Sequence, residues 1–170
     1  MMVKLGEVCE QLRGVSYDKS QVQENAAPGY VPVLRANNIQ ENGLHFADLV
    51  YVPKHVVKDK QLLRSGDIVI AASSGSKEVV GKAAQVKENR EASFGAFCKL
   101  LRPNKKVDAN YFAHFFNTPD YRRRISALSE GANINNLKNE HLNDLDFLLP
   151  PLPTQRRIAT ILDKAQALVA

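Results

Sequence analysis

Ile68-Val69-Ile70-Ala71-Ala72, followed at once by Ser73-Ser74-Gly75-Ser76, decides the reading of this chain. Gly66-Asp67 turns into the run, three of its five residues are β-branched, and a loop of small polar residues closes it. That combination predicts a strand, the strongest in the sequence. Toward the C-terminus, Ala83 to Val86 and Phe97 to Arg102 read as two further strands. Toward the N-terminus, Pro53 opens a predicted helix with apolar positions Val56, Val57, Leu62 and Leu63. Leu49 to Val52 reads as a strand entered from the hairpin-type turn Asn42-Gly43. Tyr30 to Arg35 is another, set off by Pro28-Gly29 and broken by Ala36-Asn37-Asn38. Leu5, Val8, Cys9 and Leu12 share one face of a short predicted helix over residues 4–12.

The period changes at Asp108. Tyr111, Phe112, Phe115 and Phe116 recur at helical spacing behind an aspartate that can cap a helix, and their spacing suits a core. Pro119 starts a second helix, predicted to end at Gly131, and Leu145 to Leu149 is a short strand. Thr154 is expected to cap a last helix carrying Ile158, Ile161, Leu162, Ala165, Leu168 and Val169. Strands and helices that do not strictly alternate predict an α+β domain, with one twisted sheet around 31–35, 68–72, 83–86 and 97–102. The domain is expected over residues 1–152 and a projecting helix over 153–170.

At 170 residues, 44% hydrophobic and 24% charged, the composition is that of a folded domain rather than a disordered chain. No apolar run approaches the roughly 18 residues of a membrane span. The start, Met1-Met2-Val3-Lys4-Leu5-Gly6-Glu7, shows no signal-peptide core, and two distant cysteines, Cys9 and Cys98, suit a reducing compartment. The expected location is cytoplasmic. Between Lys77 and Lys106 stand eight cations and three anions, so this segment carries the whole net charge of +5. A local basic surface suits a phosphate backbone; the competing reading is a solvated lysine-rich face.

Catalytic constellations are missing. Gly75 and Gly81-Lys82 are one residue too far apart for a P-loop, and Ala83 stands where the magnesium-binding hydroxyl belongs. His45, His55, His114 and His141 are scattered without metal-ligand spacing, so no metal site is expected. No Asp or Glu has Lys two residues on, as a common metal-dependent nuclease needs. Asn117-Thr118-Pro119-Asp120-Tyr121 does not match an amino-methyltransferase tetrad, and Ser73 to Ser76 lacks a nucleophile elbow.

Several segments in order resemble the target recognition domain of the specificity subunit of Type I restriction–modification systems. They are Lys4 to Cys9, Val31 to Ile39, Ser65 to Ala71 with Gly81-Lys82, and Gly131-Ala132-Asn133-Ile134-Asn135-Asn136-Leu137. The most specific is Leu148-Leu149-Pro150-Pro151-Leu152-Pro153-Thr154-Gln155-Arg156-Arg157-Ile158. The resemblance implies a non-catalytic reader of double-stranded DNA that recognises one half of a bipartite target. It implies no cofactor on this chain, with S-adenosylmethionine held by a separate methyltransferase subunit, and a restriction subunit as a further partner. The family pattern has two such domains separated by paired helices. One domain and the beginning of one helix are present, as expected of a half-subunit or a piece of a longer chain, and a weak homodimer is one expected state.

Three groups are candidates for DNA contact, each with an ordinary turn as its competing reading. Arg35, Asn37 and Asn38 end a strand. Ser73, Ser74, Gly75, Ser76 and Lys77, with Lys82 beyond, form a small-residue loop that permits close approach. Asn133, Asn135, Asn136 and Lys138 include side chains able to pair with adenine. Arg122 to Arg124 suit backbone clamps or a solvated helix face. Ile158, Ile161, Leu162, Ala165, Leu168 and Val169 make a stripe for a partner helix, or for folding back on the domain. The second function class is therefore a protein-interaction scaffold that docks through this helix without binding DNA.

Overall fold

In the computed structural model, which describes residues 1–132 and 136–170, the decisive run is a strand with every residue buried. The strands in chain order are β1 (Met2–Lys4), β2 (Cys9–Arg13), β3 (Tyr30–Leu34), β4 (Ile39–Gln40), β5 (Gly43–Leu44) and β6 (Val50–Pro53). They continue as β7 (Ile68–Ala71), β8 (Ala83–Gln85), β9 (Ser93–Phe94), β10 (Cys98–Pro103) and β11 (Asp146–Leu148). The helices are α1 (Ala109–Phe115), α2 (Pro119–Ala132), α3 (Asn139–Asn143) and α4 (Leu152–Val169). The class is α+β, as expected.

The principal sheet has the order β2-β10-β7-β8 and is antiparallel throughout. It is a wall between two cores. Ile68 and Ile70 of β7 and Leu101 of β10 face Phe112, Phe116, Tyr121, Ile125 and Phe147. Val69, Ala71 and Leu100 face the opposite way, toward Leu34, Leu63 and Phe94. Burial on both faces explains the unbroken apolar run, because neither side of β7 can carry a polar residue. Phe112 and Phe115 of α1, Phe116 directly after it and Tyr121 of α2 form an interlocked edge-to-face cluster, in keeping with the core that the aromatic spacing suggested.

Tyr30–Leu34 does not join this sheet. It is the middle of a second one, β6-β3-β9, antiparallel to β6 and parallel to β9. One twisted sheet is thus two, and Leu34 reaches the second core from outside. Residues 4–12 are not a helix but β1, a 3-10 turn at Leu5–Glu7, and β2. The helical spacing of Leu5 and Val8 reflects that single turn, while Cys9–Arg13 finds its partner far along the chain on β10. The helix expected after Pro53 is two 3-10 turns, Lys54–Val56 and Asp59–Gln61. This stretch must place Val56 and Val57 against the Val33, Val50 and Val52 cluster and Leu63 in a different core, which a single helix would not allow.

Gly131 does not stop α2, which runs to Ala132. Pro151, not Thr154, precedes the first turn of α4, and the Thr154 and Gln155 amides both donate to its carbonyl. An ion pair between buried Asp67 and partly buried Arg102 fastens the principal sheet to the 59–63 segment. Arg102 grips Asp67 with two hydrogen bonds of 2.9 and 2.8 Å and also donates to the carbonyls of Lys60 and Leu62.

Candidate nucleic-acid interface

The turn Gly95-Ala96-Phe97, between β9 and β10, is where distant parts of the chain meet. The Gly95 amide donates to the Leu34 carbonyl at 2.9 Å, and the Val15 amide donates to the Phe94 carbonyl at 2.8 Å. The Phe97 carbonyl accepts from the amides of Ala72 and Ser73, at 2.9 and 3.0 Å. The Leu137 amide in turn donates to the Ala72 carbonyl, and Ser73 bridges to Asn136. Four segments are thereby fixed around one turn by backbone bonds alone. Gly14 passes so close that a Cβ there would lie 1.9 Å from the Gly95 carbonyl oxygen. Only glycine permits that crossing.

The result is a cleft of about 460 Å³ lined by Tyr17, Arg35, Asn37, Ser73, Gly95 and Phe97, with the buried Cys98 behind them. Burial pushes the Cys98 thiol up to about 12, so it stays protonated and inert at neutral pH. Arg35 and Asn37 are exposed, and one Arg35 Nη donates to the Asp48 carbonyl at 2.8 Å, leaving its remaining donors free to point outward. Phe97 stands 69% exposed at the mouth. Next to the turn, Arg13 and Lys99 are register partners across β2 and β10. Partial burial, then the Arg13 charge, lowers the Lys99 pKa against the raising influence of Glu140. The Lys99 ammonium also donates to Asn139 Oδ1, so the pair is a positive spot beside the turn with one of its cations already hydrogen-bonded.

The sequence-predicted residues divide. Arg35, Asn37 and Ser73 line the cleft, and Asn136 reaches it through its bridge to Ser73. Ser74, Gly75, Ser76 and Lys77 form the loop just beyond, in which the Ser76 amide donates to Ser74 Oγ. Lys138 is exposed at the start of α3. Asn133 and Asn135 lie outside the described residues. Asn38 is corrected. It is 1% exposed, accepts from the Arg35 amide and donates to the carbonyls of His45 and Ala47, so it builds the turn that presents its neighbours. Lys82 lines a separate depression with Gln40, Glu41 and Glu78. Beside it Gly81 has φ +89°, and a Cβ would meet Ile125 at 2.5 Å. Arg122 is occupied on the carbonyls of Glu78 and Val80, holding that loop from beneath. Phe97, Tyr17 and Arg13 are not among the candidates the sequence offered for DNA contact, and Lys99 enters there only as one cation of the basic segment. The one signal for Phe97 was a large aromatic set between Gly95-Ala96 and a strand.

The stripe on α4 also divides. Gln155 is buried, accepting from the Asp108 amide and donating to the carbonyls of Lys106 and Pro150. Ala159 packs beneath the helix, and Asp163 meets His114 Nε2 at 2.7 Å. These docking residues belong to none of the stripe positions. Ile158 is half-buried, whereas Ile161, Leu162, Ala165, Leu168 and Val169 are exposed. Among the described residues no three His, Cys, Asp or Glu side chains gather as metal ligands, and no helix is long and apolar enough to cross a membrane.

A family model described as the Type I restriction modification DNA specificity domain matches residues 1–169. Over 158 residues the chain is 48% identical to the Type I restriction enzyme StySPI specificity subunit of Salmonella potsdam, covering 93% of this chain and 34% of that one. It is 45% identical over 169 residues to the Type I restriction enzyme EcoKI specificity subunit of Escherichia coli (strain K12), covering 99% and 36%. The chain therefore spans about a third of the length of these relatives. A solved chain of a type I R-M system superposes with a TM-score of 0.74 at 20% identity, covering 99% of this chain and 38% of that one. The HsdS subunit from Thermoanaerobacter tengcongensis gives 0.70 at 21%, covering 99% and 38%. At those identities the structures speak to fold.

Proposed function

Because this chain belongs to the family of Type I restriction modification DNA specificity domains, we propose that it reads one half of a bipartite duplex DNA target as a non-catalytic recognition element. The observation that carries the proposal is the clamped cleft. Arg35, Asn37, Ser73 and Asn136 come from three separate stretches of sequence, yet backbone bonds to and through one turn set them together. Arginine and asparagine are the side chains that pair bidentately with guanine and adenine in the major groove. Arg13, Lys99 and Lys77 around it supply phosphate contacts that position without specifying.

In this reading the chain acts in the cytoplasm and carries no cofactor. The methyl donor, S-adenosylmethionine, sits on a separate methyltransferase subunit, and a restriction subunit completes the assembly. The exposed side of α4 is the docking element, either for those partners or for a second copy of the chain in a weak pair. Five apolar side chains on a helix of this length give a modest interface once the cost of association is met.

The test is selection of the 170-residue chain against 40-bp duplexes with a randomised centre. Enrichment of one short motif is expected, with affinity falling steeply as salt rises. Lys77→Glu should weaken binding to all duplexes and flatten the salt slope by about one unit. Equal binding to every duplex, with no enriched motif, overturns sequence reading.

A further inference from the structure

We propose that Phe97 reads the 5-methyl group of a single thymine in the major groove, an inference that rests on the DNA-reading function above. Among the described residues Phe97 is the one aromatic of the large apolar side chains left exposed, while Phe94, Phe112 and Phe147 are all fully buried. Its exposure is imposed by its backbone. The carbonyl is held by the Ala72 and Ser73 amides, and the next residue, Cys98, is buried and bonded back to the Gly95 carbonyl. The ring therefore projects from a fixed base and keeps only its own two torsions.

Its surroundings say what it meets. Ser73, Gly95 and Ala96 are too small to cover the ring or to block a duplex approaching it. Arg35 and Asn37 share the cleft, and both are side-chain types suited to base edges in the major groove. Arg13 and Lys99, paired across neighbouring strands, give this end of the molecule the charge that a phosphate backbone seeks. A phenyl ring has no donor or acceptor, so it cannot take part in the hydrogen-bond code of that groove. The apolar feature the groove offers is the thymine methyl, which sets thymine apart from cytosine by contact alone.

The experiment uses the duplex most enriched in the selection, with each thymine replaced in turn by uracil, which deletes only the methyl. One replacement should weaken the wild-type chain about three- to tenfold, as expected for roughly one buried methyl, and the others should be neutral. In Phe97→Ala that same replacement should cost nothing further, while discrimination at the remaining positions persists. Phe97→Leu, which keeps an apolar side chain, should retain part of the methyl effect and shows that the turn still folds. An enriched motif in which every uracil is neutral, or which contains no thymine, overturns the role of Phe97 and leaves DNA reading standing. A duplex bend that disappears in Phe97→Ala, with uracil neutral throughout, also overturns it in favour of a wedge between base steps. Failure to enrich any motif removes the premise, and the proposal falls with it.

Discussion

Phe97 and Leu168 are both large apolar side chains standing in water, 69% and 87% exposed, yet their supports are opposites. Beneath Phe97 lie a turn bonded to Val15, Leu34 and the Ala72-Ser73 pair, and a sheet with a core on each side. Beneath Leu168 is a single helix, held to the domain from its other side by buried Ala159 and the Asp163–His114 pair. An isolated ring on a rigid frame suits a surface of known shape, such as a groove. A stripe at positions 161, 165 and 168, exposed along the outer side of one helix, suits a partner that brings its own packing. The difference teaches that exposure alone does not distinguish reading from docking; the stiffness of the support does.

The comparison is broken most strongly by undermining the frame. Asp67→Ala leaves the partly buried Arg102 without its carboxylate, though still on the Lys60 and Leu62 carbonyls, and should cost about 3 kcal/mol, the lower end for breaking a buried pair. Urea denaturation should show that loss, and any surviving duplex binding should lose its sequence preference before its salt dependence. Retention of full stability would mean that the sheet does not need this clasp.

A smaller effect is expected at the root of the helix. Gln155→Ala strands the Asp108 amide and the carbonyls of Lys106 and Pro150, at a cost of about 2 kcal/mol. Amide exchange should then quicken along α4 while β7 and β10 keep their protection. Equal acceleration in the sheet would erase the contrast between the two supports. Smallest in stability is Ile161→Asp combined with Leu168→Asp. The folded domain should change by no more than about 0.5 kcal/mol, whereas self-association or capture of a methyltransferase subunit, measured by sedimentation, should vanish. Loss of stability with unchanged assembly would place those side chains against the domain instead.

What the sequence made legible follows from locality. β7 announced itself because burial on both faces excludes every polar residue from the run, and the α1 aromatics because 3.6-residue spacing is a property of the helix alone. The division into two sheets was hidden, since β3 gives the same local pattern whichever sheet its neighbours join. Leu5 to Leu12 misled for the same reason: a partner on β10 outweighs a weak local period. In the cleft, Arg35, Asn37 and Ser73 were found by residue type at strand ends, but Asn38 shares that type and is spent on the turn itself. Phe97 could not be told from a core residue, because what exposes it is the set of bonds made to its carbonyl by chain from outside its own segment.

The crossing of Gly14 over Gly95 bears on how such a reader could change its target. Two backbones in van der Waals contact, with no side chain between them, cannot be brought nearer, and any substituent at Gly14 forces them apart. The gauge of the cleft is thus set by covalent dimensions rather than by packing that drifts as residues change. New preferences would have to arise by exchanging side chains on an unchanged jaw, at Arg35, Asn37, Ser73 or Phe97, so that divergence in target proceeds without divergence in backbone.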